Sequence, residues 1–253
     1  MAVYNGQRFL HEQVASVLSE LVSGDELIVI DDASTDDSLA LLKAVDSPAL
    51  RIYRNPSNLG VKRSFERGLG LATHEFIFLC DQDDIWLPGK RSAFVEAFEN
   101  DPTVLVVISD AQVIDAQGHV IAESFMATRN GFSGSVLATA WRNRYLGCAM
   151  ALRRTLLAAA LPIPRWAPMH DMWFGAVAQL TGKVTYLPIP LLQYRRHSGN
   201  VTPSHRQSPL RMLRWRTALV GSLCARALSH RLGLHRHLAS HAEKPVDPER
   251  IQP

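Results

Sequence analysis

Residues 76–90 read FIFLCDQDDIWLPGK, so an apolar run ends in three carboxylates, Asp81, Asp83 and Asp84, within four positions. Side chains alternate along a strand, which places Asp81 and Asp83 on one side and Gln82 on the other. Two carboxylates on one side at a strand's carboxyl end can hold a hard divalent cation, Mg²⁺ or Mn²⁺, and such a cation bridges protein carboxylates to phosphate oxygens. The same acids could instead cap the helix near LPGKR and solvate a loop. A second stretch, LIVIDDASTDDS, weighs toward a binding site, because Asp31 and Asp32 end another buried strand in an acidic pair. Ser34 and Asp37 supply a box-like helix start there. That leaves a carboxylate able to accept the imino N–H of a pyrimidine or a ribose hydroxyl. The sequence has no G-x-G-x-x-G after its first strand and no G-x-x-x-x-G-K-[ST]. Any diphosphate must therefore be neutralised by metal and basic side chains.

Residues 1–110 alternate short apolar runs with longer amphipathic segments, the pattern of an α/β fold with a mostly parallel, Rossmann-like sheet and helices on both faces. The expected strands are MAVY, ELIVI, LRIYR, FIFLC and TVLVVIS, with helices over 8–22, 37–45, 61–72 and 88–100. Ligands of such sheets bind beyond the carboxyl ends of the strands. From 110 onward VIDAQGHVI reads as a hairpin turning at Gln117 and Gly118, GCAMALRR as a strand and DMWFGAVAQLTG as a helix stopped by Gly182. KVTYL and LLQYRRH read as two further strands, and GNVTPSHRQSP as a linker. MAVY is short for a central parallel strand, so it is expected to be the remnant of a longer one, with the N-terminus cut back.

At 253 residues and 47% hydrophobic the chain fits one sizeable domain with an appendage, and disorder is excluded. Cys80, Cys148 and Cys224 are widely spaced, which suits packing roles and a reducing compartment rather than disulfides or zinc. No apolar run approaches the roughly 18 residues that span a bilayer, so a cytoplasmic protein, or one peripheral on the inner membrane face, is expected. Residues 204–253 hold nine Lys or Arg against three Asp or Glu. The folded part is mildly acidic, which argues against nucleic acid as a partner. The tail sequence sets Leu210, Leu213, Val220, Cys224 and Ala227 on one helical stripe, away from Arg211, Arg226 and Arg236. Such a helix fits either an anionic membrane surface or its own domain.

MAVYNGQRFL, IDDASTDDS, NLGVKRSFERGL, LCDQDDIWLPGK and HDMWF stand in the order found in family 2 glycosyltransferases of the GT-A fold, and the chain resembles that family over about residues 1–200. YRRHSGN resembles the Y-R-x-H segment of its bacterial rhamnosyltransferase-like members. The resemblance implies a GT-A domain over 1–203, with a nucleotide-binding half (1–110) and an acceptor half (111–203), followed by a basic amphipathic helical tail (204–253). It implies that DQD is a D-x-D motif, with Asp83 binding the metal and Asp81 beside the ribose and donor sugar. Asp32 would contact the base, and Tyr4 and Asn5 would line its pocket. Lys62 would reach the base or phosphate, and Arg195 and His197 would close over the diphosphate. Asp171 would be the catalytic base, with a nucleotide-sugar such as dTDP-rhamnose as donor and a saccharide or lipid-linked hydroxyl as acceptor.

Asp171 also suits a helix cap, and a helix N-terminus would lower its pKa. Trp86 is expected to pack in the core; Trp173 could pack or stack on a sugar. Asp110 is expected to form a turn rather than touch the donor. Processive synthases of the family carry Q-x-x-R-W; RMLRW has Arg211 in place of that glutamine, which favours transfer of a single sugar. The competing functions are a sugar nucleotidyltransferase, which would want a glycine-rich phosphate loop, and a catalytically silent nucleotide-sugar-binding assembly partner.

Overall fold

The computed structural model describes residues 1–133, 135, 143–200, 209–231 and 250–251. Its first part runs β1 (Ala2–Val3), α1 (Leu10–Leu18), β2 (Leu27–Asp31), α2 (Ser38–Lys43), β3 (Leu50–Arg54), α3 (Val61–Leu71), β4 (Phe76–Phe78), β5 (Ile85–Trp86) and α4 (Lys90–Glu99). There follow β6 (Val104–Ile114), β7 (Val120–Ala122), β8 (Met150–Arg153), α5 (Leu157–Ala160), α6 (His170–Thr181), β9 (Lys183–Arg195), α7 (Pro209–Arg231) and β10 (Arg250–Ile251). The expected linker falls largely at 201–208, outside the described residues.

β1, β2 and β3 pair in parallel, with Ala2 opposite Ile30 and Leu27 opposite Leu50. The second sheet has the order β4-β8-β6-β9-β5, with β7 beside β6. There β6 and β9 are parallel while β4, β5, β7 and β8 pair antiparallel. KVTYL and LLQYRRH, read from sequence as two strands, are one continuous strand, β9. Pro188 and Pro190 lie inside it, and the ladder slips where Asp110 stands opposite Pro190, since proline cannot donate to a ladder.

Both sheets are buried by helices because their strands carry continuous apolar runs. Val29 and Ile30 of β2, and Val106, Val107 and Ile108 of β6, are at most 1% exposed. On α1 the recurrence of Leu10, Val14 and Val17 puts one face into that core. Trp173, fully buried, donates its indole N–H to Ala160 O at 2.7 Å, so it is a core residue rather than a sugar platform. Trp86 is also core, with the ammonium of Lys90 4.5 Å above its ring.

The tail helix packs on its own domain through a face the sequence did not single out. Leu219 and Leu223 are buried, whereas Leu213, Val220 and Cys224 of the expected stripe are exposed. The side chains of Leu210, Arg211 and Ala227, and all of Arg236, lie outside the description. Arg226, expected to point away, lies over the Trp173 ring at 5.4 Å. It donates to Ala159 O, Leu161 O and Pro162 O at 3.0, 2.7 and 2.6 Å. Three charge-assisted bonds at a half-buried site predict that Arg226→Ala lowers stability by about 2 kcal/mol in chemical denaturation. An unchanged midpoint would mean that α7 is not held through this residue.

Candidate functional site

Three loops meet at the carboxyl ends of β1, β2 and β4. Asn5 N–H donates to Ser34 Oγ at 3.0 Å, Gly6 N–H to Ser38 Oγ at 2.8 Å, and Asn5 Oδ1 accepts from Thr35 N at 2.8 Å. Ser34 is therefore engaged with the first loop and does not form the expected capping box. Asp37 is the N-cap residue of α2 and makes no side-chain capping bond. Gln82 clips the first loop to the DQDD segment from the other side: Tyr4 N–H donates to its Oε1 at 2.7 Å, and its Nε2 donates to Tyr4 O at 3.1 Å. Gly6 makes this approach possible, since a Cβ there would stand 2.6 Å from Gln82 Oε1. Gln82 can swing away, so Gly6→Ala is expected to remove the clip and about 1 kcal/mol of stability. On a Gln82→Ala background the same change should cost almost nothing; equal costs in urea titrations of the two backgrounds would refute the contact.

Asp31 is fully buried and pairs with Arg54 at 3.3 Å. Asp32, proposed from sequence to meet the base, accepts from Asn55 Nδ2 (2.6 Å) and Leu59 N (2.9 Å) through Oδ1, and from Gly60 N (2.8 Å) through Oδ2. It shapes the entry to α3 and keeps acceptor capacity on Oδ2. Tyr4 stands exposed at the rim. Lys62 is turned to the 165–167 segment, donating to Arg165 O and Ala167 O at 2.9 and 2.8 Å.

The DQDD segment lies beyond the last strand pairing of β4, so strict alternation lapses and its acids part company. Asp81, Asp84 and Cys148 bring ligand atoms within 4.8 Å of one another. Burial and the charges of Asp84, Asp83 and Asp171 push the Asp81 carboxyl well above the usual range. Burial, then Asp83, pushes Asp84 up to about 7. The cation beside them is Lys90, wholly buried and donating to Cys148 O at 2.7 Å, whose own pKa burial lowers to about 8. Asp83 faces elsewhere. Its Oδ2 lies 2.8 Å from His197 Nε2 and accepts from Asn200 Nδ2 at 3.1 Å. Gly199 N–H donates to His197 Nδ1 at 3.1 Å, which assigns the ring proton to Nε2 and so to the bond with Asp83. Arg195, expected over a diphosphate, is 3% exposed and bound to protein groups: its guanidinium donates to Asp83 O and Glu12 Oε2 at 2.9 and 2.5 Å, and its backbone N–H to Asp84 Oδ1 at 3.0 Å. It fixes the carboxylate loop in place.

Asp171 is 8% exposed in the first turn of α6, whose N-cap is Met169. Its Oδ1 accepts from Met172 N at 2.5 Å, and Asn143 Nδ2 approaches at 3.4 Å. The helix end was expected to lower its pKa, but burial outweighs these bonds and raises it to about 6. Beside it His170 stacks on Phe65 with ring centroids 4.2 Å apart, and burial, then Lys62, lowers it to about 4. Gly147 lets both approach, since a Cβ there would lie 2.9 Å from His170 Nε2. Asp110, expected to form a turn, stands instead inside β6, where its Oδ1 accepts from Ala111 N (2.8 Å) and Met126 N (3.0 Å) and anchors the 124–126 loop. Gln82, Asp84, Lys90, Gly147 and Asn200 were not singled out from sequence as site residues. The repeat of carboxylates beside Lys90 was the available signal for Lys90 and Asp84; the others depend on long-range contacts.

The protein-family model described as Glycosyl transferase family 2 matches residues 1–158. An uncharacterized glycosyltransferase of a Nostoc strain is 27% identical over 208 residues, covering 78% of this chain and 63% of its own length. One from Haemophilus influenzae is 28% identical over 116 residues, covering 45% and 36%. The crystal structure of S. aureus TarS 1–349 in complex with UDP-GlcNAc superposes with a TM-score of 0.66 at 18% identity, over 87% of this chain and 64% of TarS. The fold is thus of the GT-A type that TarS shares, and the chain spans less than two thirds of the Nostoc and TarS sequences it matches.

Proposed function

The chain belongs to glycosyl transferase family 2, and on that footing we propose that it performs inverting transfer of a single sugar from a nucleoside diphosphate to an acceptor hydroxyl. The observation that carries this reading is one buried carboxyl, Asp171, raised to about 6 and close enough to the strand-end acids for its charge to act on Asp81. A base with that pKa is ionised near neutrality yet basic enough to accept the acceptor's proton as its oxygen attacks. Asp171 in an acceptor half (111–203) would face a nucleotide in the first half, held by Tyr4, Asn5 and Asp32.

A divalent cation, Mg²⁺ or Mn²⁺, fits at Asp83. Among the described residues the hydrogen bonds to that carboxylate, from His197 and Asn200, fall on Oδ2, which leaves Oδ1 to meet the ion. The Asp81–Asp84–Cys148 cluster fits less well, because the ammonium of Lys90 already balances it. When bound, the cation would offset the charge that builds on the departing diphosphate.

Rhamnose from a dTDP donor rests on the family resemblance, and the UDP-GlcNAc held by TarS supplies the competing donor. Among the described residues no helix is long and apolar enough to cross a membrane. Exposed Leu213, Val220 and Leu228 on the basic tail helix support peripheral contact with the inner membrane face, where a lipid-linked acceptor would be met. Thermal stabilisation by a panel including dTDP-rhamnose and UDP-GlcNAc, with and without Mn²⁺, followed by transfer assays, tests the reading. Metal-dependent stabilisation by one of them supports it. Stabilisation without donor turnover would favour a silent nucleotide-sugar-binding partner.

A further inference from the structure

Segment 161–167, LPIPRWA, is pinned along its backbone from two sides. From α3, Lys62 donates to Arg165 O and Ala167 O at 2.9 and 2.8 Å, and Glu66 Oε1 accepts from Ile163 N at 3.2 Å. From α7, Arg226 donates to Leu161 O and Pro162 O at 2.7 and 2.6 Å. Ala167 N closes a turn on Pro164 O at 2.9 Å. Trp166 stands in that turn at 70% exposure, the highest among the described large apolar side chains. A loop held this firmly cannot fold its tip away, so the indole is kept facing outward.

Between this loop and α7 runs an open groove of about 740 Å³. Pro162, Pro164 and Trp166 form one wall, and Ala218, Gly221 and Ala225 of α7 the other, small residues at helical spacing that leave room beside the ring. On the solvent side of α7, Leu213, Val220 and Leu228, seven and eight positions apart and all exposed, make a second apolar edge. The charges around the groove are of one sign. Arg214 lines it, and the Arg165 guanidinium lies 5.6 Å over the Trp166 ring. Segment 161–167 contains no Asp or Glu, and neither does α7, which carries five Arg.

We propose that the Trp166 loop and the free face of α7 form one docking surface for an anionic phospholipid bilayer. Trp166 and the edge of Leu213, Val220 and Leu228 enter the interface, and Arg165 and Arg214 meet lipid phosphates. The all-cationic groove is complementary in charge to such a surface. An exposed indole and a row of aliphatic side chains beside arginines also match the layering of a bilayer boundary, apolar beneath and charged above. An acidic protein would satisfy the arginines but not call for two apolar edges. The surface rests on the membrane contact proposed above and deepens it by fixing how the site faces the bilayer. Asp171 follows Trp166 by five positions, so their backbones are at most about 18 Å apart. The acceptor class that follows is a hydroxyl carried close to its lipid anchor, on a glycolipid or short lipid-linked saccharide, rather than the far end of a long polymer.

The test is partition of the full chain onto mixed phosphatidylglycerol–phosphatidylcholine vesicles and onto phosphatidylcholine alone, for the parent, Trp166→Ala, Trp166→Phe and Arg214→Gln, with the Tm of each variant as the control for folding. The parent is expected to bind the anionic vesicles and not the neutral ones. Trp166→Ala should weaken that binding about tenfold or more, the equivalent of one large apolar side chain, and Arg214→Gln about fivefold, with Tm unchanged in both. Lipids brominated on their acyl chains should quench the parent's emission more than that of Trp166→Phe, because Trp86 and Trp173 are buried in the core. Binding of Trp166→Ala as tight as the parent's would overturn the proposal and leave any membrane contact to α7 alone. Equal binding to neutral vesicles overturns it, as does a parent that ignores both vesicles or prefers polyglutamate, the sign of an acidic protein partner. None of these readouts requires sugar transfer, so a failed docking surface and a failed catalytic reading are told apart.

Discussion

Asp171→Asn is expected to leave donor affinity near that of the parent protein and to lower turnover by about 10²- to 10⁴-fold, the usual contribution of a general base. The amide keeps the size of the side chain and can still accept from Met172 N, so the loss is not an unwound helix start. The pH profile separates this role from a structural one. Because burial raises the carboxyl from 3.8 to about 6, the parent's turnover should fall as pH drops through about 6, where the base takes up a proton. The variant should show no such limb. The folded protein binds this proton more tightly than the unfolded chain does, so ionised Asp171 opposes folding above about pH 6. At pH 7 the variant should therefore be at least as stable as the parent. A turnover loss under about tenfold, or a retained acid limb, would move the base elsewhere; His170, buried beside it, would be examined next.

Asp83→Asn should abolish metal-dependent donor binding, weakening it by about a hundredfold or more, while Tm stays within a few degrees. The amide oxygen still accepts from His197 and Asn200, so the loop retains its anchor and only the charge is lost. Calorimetry with Mn²⁺ and the donor nucleotide is the measurement. Unchanged affinity would remove Asp83 from the metal site and transfer attention to Asp81 and Asp84, with Lys90 displaced from them. Loss of affinity without Mn²⁺ as well would show that Asp83 touches the nucleotide directly.

Strands and helices with a strong period were legible from sequence because alternation and the helical repeat are local properties. β2, β3, β6, α3 and α6 stand close to where their apolar patterns put them. So were the ends of the strands that carry Asp32, Asp83 and Asp84, since carboxylates abruptly following buried runs must lie at a sheet edge. The partners of those carboxylates were not legible. Arg195 meets Glu12 across 183 positions, and Asp83 meets His197 across 114. Nothing local in YRRHSGN distinguishes a cation that grips the carboxylate loop from one reaching for phosphate. Tertiary structure likewise decided which face of α7 is buried, because a helix with apolar residues on two sides has no preferred side until a domain covers one. It also decided the pKa of Asp171: sequence supplies the helix end that would lower it, but only the folded core removes the water whose loss raises it.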